Sequence, residues 1–208
     1  WAAHAVAHVH QIQGDFKAGI RWIDNCLPSW AQTNNFSNHL IWHKALMLID
    51  FGHAEQALTL FDEALVDCLK DDFYLDVCNA ASLLWRLEMK GLDLGERWEM
   101  LRPFYHRAED QELVFIALHY VMVAVKNGDQ GIIEAALSNL QHWEQQPQEQ
   151  GRICHAVGLE TARALVDLAQ GSTERGVDQL MSLTPELHQI GGSHAQRALF
   201  TDFIHHYS

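Results

Sequence analysis

Lys44-Ala45-Leu46-Met47-Leu48-Ile49-Asp50-Phe51-Gly52-His53-Ala54-Glu55-Gln56-Ala57-Leu58 is the stretch that decides the fold. Apolar residues crowd the segment before Gly52, and a second run with helical spacing starts after it. A glycine there closes one helix and lets the next begin, because glycine adopts the left-handed conformation at little cost. Ala45 stands seven residues before the turn and Ala57 five after it. Small residues at both places let two helix axes approach closely.

The same pattern recurs along the chain. Glycine turns fall at Gly14-Asp15, Gly52-His53, Gly91-Leu92, Gly128-Asp129 and Gly171-Ser172, spaced 38, 39, 37 and 43 residues apart. The small pair returns as Ala7/Gly19 and Ala164/Gly176, while Leu84/Glu96 and Val121/Ile133 break the rule. Apolar residues recur at three- and four-residue spacing, as in Leu58, Phe61, Leu65, Leu69 and in Leu113, Ile116, Tyr120, Val123. Alternating β-branched runs are missing, and the four prolines fall near expected breaks. The chain therefore reads as all-α: tetratricopeptide-like helical hairpins stacked into an α-solenoid. One helical-repeat domain over 1–208 is expected, with hairpins near 1–26, 35–69, 73–107, 111–144 and 149–183 and a last helix at 194–207. The spacing exceeds the tetratricopeptide period of about 34 residues, which marks diverged, longer repeats.

Composition narrows the function. Apolar residues make up 48% and charged residues 20%, a globular balance that excludes intrinsic disorder. A formal net charge of −13 repels phosphate backbones and anionic lipid heads, so neither nucleic acid nor a membrane surface is an expected partner. The longest apolar run, Val114 to Val125, is too short to span a bilayer. Cys26, Cys68, Cys78 and Cys154 stand far apart with no Cys-x-x-Cys pair, which suits reduced thiols and a cytoplasmic protein. The sequence opens at Trp1 with no basic-then-apolar leader, and it reads as a fragment whose missing N-terminal part is itself a partner.

Several stretches resemble the tetratricopeptide repeat protein 38 family. They are Trp1-Ala-Ala-His4-Ala-Val-Ala-His8-Val-His10, Asn38-His39-Leu-Ile-Trp42-His43-Lys-Ala45-Leu, Tyr74-Leu-Asp76-Val, Trp85-Arg86-Leu-Glu-Met-Lys-Gly91, Gly95-Glu-Arg97-Trp98 and Gly191-Gly192-Ser193-His194-Ala195-Gln196-Arg197. The resemblance covers essentially the whole chain with its motifs in order. It implies a helical-repeat protein with a further helical portion upstream, and it brings no established biochemical activity. His194 departs from the asparagine expected in some relatives, which argues against an obligatory ligand there.

Histidine carries the chemical signal, with 14 in 208 residues. Counted back from their turn glycines, His4, His8, His39, His43, His119 and His155 fall at −10, −6, −13, −9, −9 and −16, which traces one face of successive first helices. In a tetratricopeptide-type stack those helices line the concave surface. His4/His8 and His39/His43 are each a His-x-x-x-His pair, whose i, i+4 spacing puts two imidazoles on one side, able to chelate a divalent ion. Zinc, iron and manganese are the candidate metals, with Asp76, Asn79 and Glu160 as further oxygen donors. Histidine also packs well between helices, and Trp1, Trp42 and Trp85 sit nearby for aromatic stacking. Packing, a metal site and direct ligand contact are therefore all open at the sequence level.

A second candidate is Gly191-Gly192-Ser193-His194, a glycine pair leading into the last helix. Ser193 is a good helix cap, and Arg197 on the first turn can hold a carboxylate or phosphate. Arg86 and Arg163 are expected to pair with Asp76 or Glu160. The tail stripe Leu199, Phe200, Phe203 and Ile204 is expected to be partly bare and to pack on further chain or a partner. No nucleophile elbow, P-loop or dinucleotide fingerprint occurs, and neither Cys78 nor Cys154 has a nucleophile signature beside it. The sequence reads as a protein- or peptide-binding or scaffolding module. The alternative is a metal-dependent enzyme or small-molecule binder with a histidine-lined site on the concave face. Histidine and tryptophan in place of lysine and arginine on the first helices argue against an acidic C-terminal peptide as ligand.

Overall fold

The computed structural model describes residues 2–30 and 36–208; Trp1 lies outside them. Its contacts divide the chain into two compact units, Trp1–Leu94 and Gly95–Ser208. Every element is helical, with no strand among the described residues, and no helix there is long and apolar enough to cross a membrane.

The first unit holds α1 (Ala2–Gln13), α2 (Phe16–Trp30), α3 (Phe36–Asp50) and α4 (Ala54–Leu60). The chain then passes through a π-helical turn, Phe61–Leu65, into α5 (Val66–Cys68), a 3-10 turn at Leu69–Asp71 and α6 (Tyr74–Met89). α3 is the centre: it packs on α1, α2, α4 and α6. Its sequence agrees with that place, since every residue from Ala45 to Ile49 is buried together with His39, Leu40, Trp42 and His43. Ala7, Ile23, Leu40 and Met47 form a core here, with Phe16, Ile20 and Leu27 packed against it.

The second unit opens with a 3-10 segment, Gly95–Arg107, followed by α7 (Val114–Lys126), α8 (Gln130–Trp143) and α9 (Glu149–Ile153). A π-helical turn, Cys154–Gly158, leads into α10 (Leu159–Ala169); α11 (Thr173–Leu183), a 3-10 turn at Leu187–Ile190 and α12 (His194–Tyr207) complete it. α7 is buried along its whole apolar run, Val114 to Val125, against α8, α10 and the 3-10 segment.

All five turn glycines have positive φ, from 66° at Gly128 to 87° at Gly52. Of the small pairs, Ala7, Ala45, Ala57 and Ala164 are fully buried. A Cβ at Gly19 would lie 2.9 Å from the Cβ of His10 on α1, and one at Gly176 would lie 3.0 Å from the carbonyl oxygen of Ala164. These are the close helix approaches that small residues permit.

Three expectations need correction. The second leg of the 73–107 hairpin is not an α-helix: Gly95–Arg107 is 3-10, and Pro103, inside it, has no N–H to give an i−4 carbonyl. Leu113 does not join the stripe of α7; it is extended, precedes the helix and is exposed. The tail stripe is not bare either. Leu199, Phe200 and Phe203 are fully buried, because α12 lies against α11 within the second unit.

Candidate metal centre

The two His-x-x-x-His pairs meet in the first unit, where α1 packs on α3. His4 and His8 share one face of α1; His39 and His43 share one face of α3, as i, i+4 spacing requires. His4 Nε2 lies 3.0 Å from His8 Nε2 and 3.1 Å from His43 Nε2. His4, His8 and His43 each offer a nitrogen, and these three atoms lie within 4.8 Å of one another. Two nitrogens bound to zinc at about 2.0–2.1 Å with a tetrahedral angle stand roughly 3.3 Å apart. The His4–His8 and His4–His43 spacings are within a few tenths of an ångström of what one ion needs.

A ring nitrogen of neutral imidazole has one in-plane site, either an N–H or a lone pair. The Nδ1 of the fully buried His43 has no hydrogen-bond partner, so the hydrogen bond of that ring is the one into the cluster. A cation held among the three nitrogens would take one lone pair from each ring.

Burial keeps His4, His39 and His43 neutral, which is the form that binds metal. Burial, then the neighbouring His39 and His8, push His4 down to about 4. Burial also takes His39 to about 4, against an opposing hydrogen bond from Asn79. His43 is held well below the usual imidazole value by burial, then by His39, His8, His4 and the positive charge of Arg86.

His39 does another job. Its Nδ1 lies 3.2 Å from Asn79 Oδ1, an acceptor, so the ring donates there. It stacks on Trp42 with an interplanar angle of 13°. Trp42 Nε1 donates to Ser82 Oγ at 3.0 Å, Ser82 Oγ donates to the Asn79 carbonyl, and Arg86 Nη1 donates to the Ser82 carbonyl. Asn79, Ser82 and Arg86 stand at i, i+3 and i+7 on α6, so one helix face backs the site with polar groups. Sequence reading named Asn79 as an oxygen donor and Arg86 as an ion-pair partner and passed over Ser82. The signal was present: three polar residues at helical spacing inside an otherwise buried helix.

The remaining candidates have local partners. Asp76 accepts from Asn38 Nδ2 at 3.3 Å. In the second unit, His119 Nδ1 donates to the Phe115 carbonyl at 2.7 Å, and His155, largely exposed, faces Glu144 at 3.4 Å. Glu160 accepts from Arg163 and Gln179. Ser193 and Gln196 form a reciprocal capping box at the start of α12. Arg197 donates to the carbonyls of Gly191 and Gly192, so its guanidinium closes the glycine turn.

No known protein-family model matches the sequence, and no solved structure matches it.

Proposed function

We propose that this chain is a metal-binding protein in which His4, His8 and His43 hold one divalent ion, zinc first, with iron and manganese as the other candidates. One observation carries the reading: His4, His8 and His43 each bring a ring nitrogen to within 4.8 Å of the other two, from two helices far apart in sequence. Three-histidine sets with an open fourth position belong to catalytic rather than closed structural zinc sites, and an ion so held supplies Lewis acidity or an activated water. The frame is a tetratricopeptide-like helical repeat of the kind the tetratricopeptide repeat protein 38 resemblance implies. The five glycine turns and the buried small pairs support that frame. Four free cysteines fit a reducing compartment, and we propose the cytoplasm.

Metal content by plasma mass spectrometry, on untagged protein purified without chelator, tests the site. The expected result is about one equivalent per chain. It should be lost in His4→Ala and His43→Ala and kept in His39→Ala, whose ring serves as wall rather than ligand. A chain that stays metal-free after incubation with zinc, iron and manganese refutes the reading.

A second reading, a protein or peptide partner, is favoured by one feature. Ala2, Ala5, Val9 and Ile12 form an exposed apolar stripe on α1, with Val9 49% and Ile12 69% exposed. Loss of partner capture in Val9→Glu/Ile12→Glu, with metal content unchanged, would establish it as a separate function.

A further inference from the structure

We infer that the first unit holds a second binding site, independent of the metal reading: a groove over α3, between α2 and α4, that takes a short peptide segment carrying one basic residue. The groove encloses about 340 Å³, at the lower end of the roughly 300–1,000 Å³ of ligand pockets. It lies away from the histidine cluster. Its α3 residues, Lys44 and Leu48, follow His43 and Met47 by one position, which turns them about 100° round the helix.

The lining decides what fits. Leu48 is buried and Ile20 and Leu60 are half-buried, so the floor is apolar. Lys44 Nζ donates to Asp24 Oδ1 at 2.6 Å, and the two charges cancel. Glu63 and Gln56 are exposed along the groove, and their side chains have no hydrogen-bond or ion-pair partner among the described residues. Glu63 stands in the π-helical turn Phe61–Leu65, whose two end residues are buried. Single π-helical turns are rare and frequent at functional sites, because the extra residue re-aims the side chains the turn carries.

A carboxylate without a counter-charge beside an apolar floor suits a cation on an aliphatic stem, the design of arginine and lysine. The carboxamide of Gln56 offers a donor and an acceptor, the complement of a peptide group, for which a free polyamine has no match. The formal net charge of −13 favours the approach of a basic partner. The second unit supplies the contrast. A groove of about 440 Å³ lies over α10, between α8 and α11, with Arg163 eight residues before Gly171 as Lys44 is before Gly52. There the one acidic lining residue, Asp167, is held by two hydrogen bonds from Arg175, so no carboxylate of that groove is left for a basic ligand.

Nuclear magnetic resonance titration of the whole chain, labelled with nitrogen-15, tests the site. The probes are acetylated and amidated Leu-Arg-Leu-Leu, the same peptide with glutamate in place of arginine, and spermidine. The expected result is a saturable shift of the Lys44, Gln56 and Glu63 amide signals with the arginine peptide, while those of α7 stay in place. Glu63→Gln should weaken that binding about threefold, as loss of an exposed ion pair does, and Glu63→Asp should keep it within about twofold. Glu63 is exposed, so both variants should fold, and helical circular dichroism checks this. Groove signals that the arginine peptide does not move overturn the inference. Equal binding of the glutamate peptide, or undiminished binding in Glu63→Gln, removes the basic residue from the ligand and overturns it too. Spermidine that binds as tightly as the arginine peptide overturns the peptide in favour of a free polyamine.

Discussion

At the scale of single residues, what distinguishes the four clustered histidines is the nature of each partner. His39 has a dedicated acceptor in Asn79 and a stacking surface in Trp42, and it behaves as a packed core histidine. His4, His8 and His43 have one another. His39→Ala should cost about 1–3 kcal/mol, the usual result of orphaning a buried polar partner, without removing metal; chemical denaturation alongside metal analysis checks both. Acid should act through the same rings. The folded state holds His4 and His39 near 4, against an unfolded value of about 6.5. Between those values the unfolded chain binds more protons than the folded one, so stability falls as pH drops through that window and is constant above it. Denaturation midpoints of the metal-free protein from pH 8 to pH 4 should show that decline, and a flat profile would contradict the burial of these rings. Bound zinc should raise stability across the range and carry the decline to still lower pH with its onset unchanged, because protons must then compete with the ion in the folded state alone.

At the scale of elements, the helices depend on a few backbone approaches that no larger residue tolerates. Gly19, on α2, is one: a Cβ there would meet Met47 Sδ at 2.5 Å and His10 Cβ at 2.9 Å. Gly151, on α9, is tighter in kind, since the obstructing atoms are carbonyl oxygens of Gln146 and Trp143. Both Gly→Ala changes should destabilise by about 1–3 kcal/mol despite the better helix propensity of alanine, with Gly151→Ala the worse because backbone yields less than a methionine tip. Gly131, near the start of α8, meets only Asp129 at 3.6 Å, so Gly131→Ala should stabilise by up to about 1 kcal/mol. Thermal melts of the three variants test the signs. α1 is a different case. Only Ala7 is fully buried on it, and the histidine cluster and the hydrogen bond from Gln11 to Asp50 also tie it to α3. Hydrogen exchange of α1 should slow markedly when zinc is added and return when chelator removes it.

At the scale of the molecule, the chain has two compact units, and the proposed ion sits wholly within Trp1–Leu94. Ligand binding to the native state alone adds stability by mass action, about 2.7 kcal/mol at a free concentration one hundred times the dissociation constant. Zinc should therefore raise the unfolding midpoint reversibly, with added amide protection concentrated in the first unit. The α7 amides of the second unit serve as the internal reference. Equal protection of α7 would show that the two units unfold together rather than separately.

The order of residues by itself determined the helical class, the five turns and the close-packed pairs, because each rests on local chemistry: glycine at a left-handed turn, small side chains at a fixed offset, apolar residues at helical spacing. It also marked His4/His8 and His39/His43 as pairs, since i, i+4 spacing is a property of one helix. What it left open was which of the four point at one another. That depends on the rotation of α1 against α3, fixed by the packing of Ala7, Leu40 and Met47 in the core. The same packing turned His39 toward Asn79 and set Ser82 and Arg86 behind Trp42. Within the second unit, the packing of α12 on α11 buries Leu199, Phe200 and Phe203, which a linear reading leaves partly bare. Periodicity tells a helix which face to hide, but only the meeting of helices far apart in sequence decides what that face hides against.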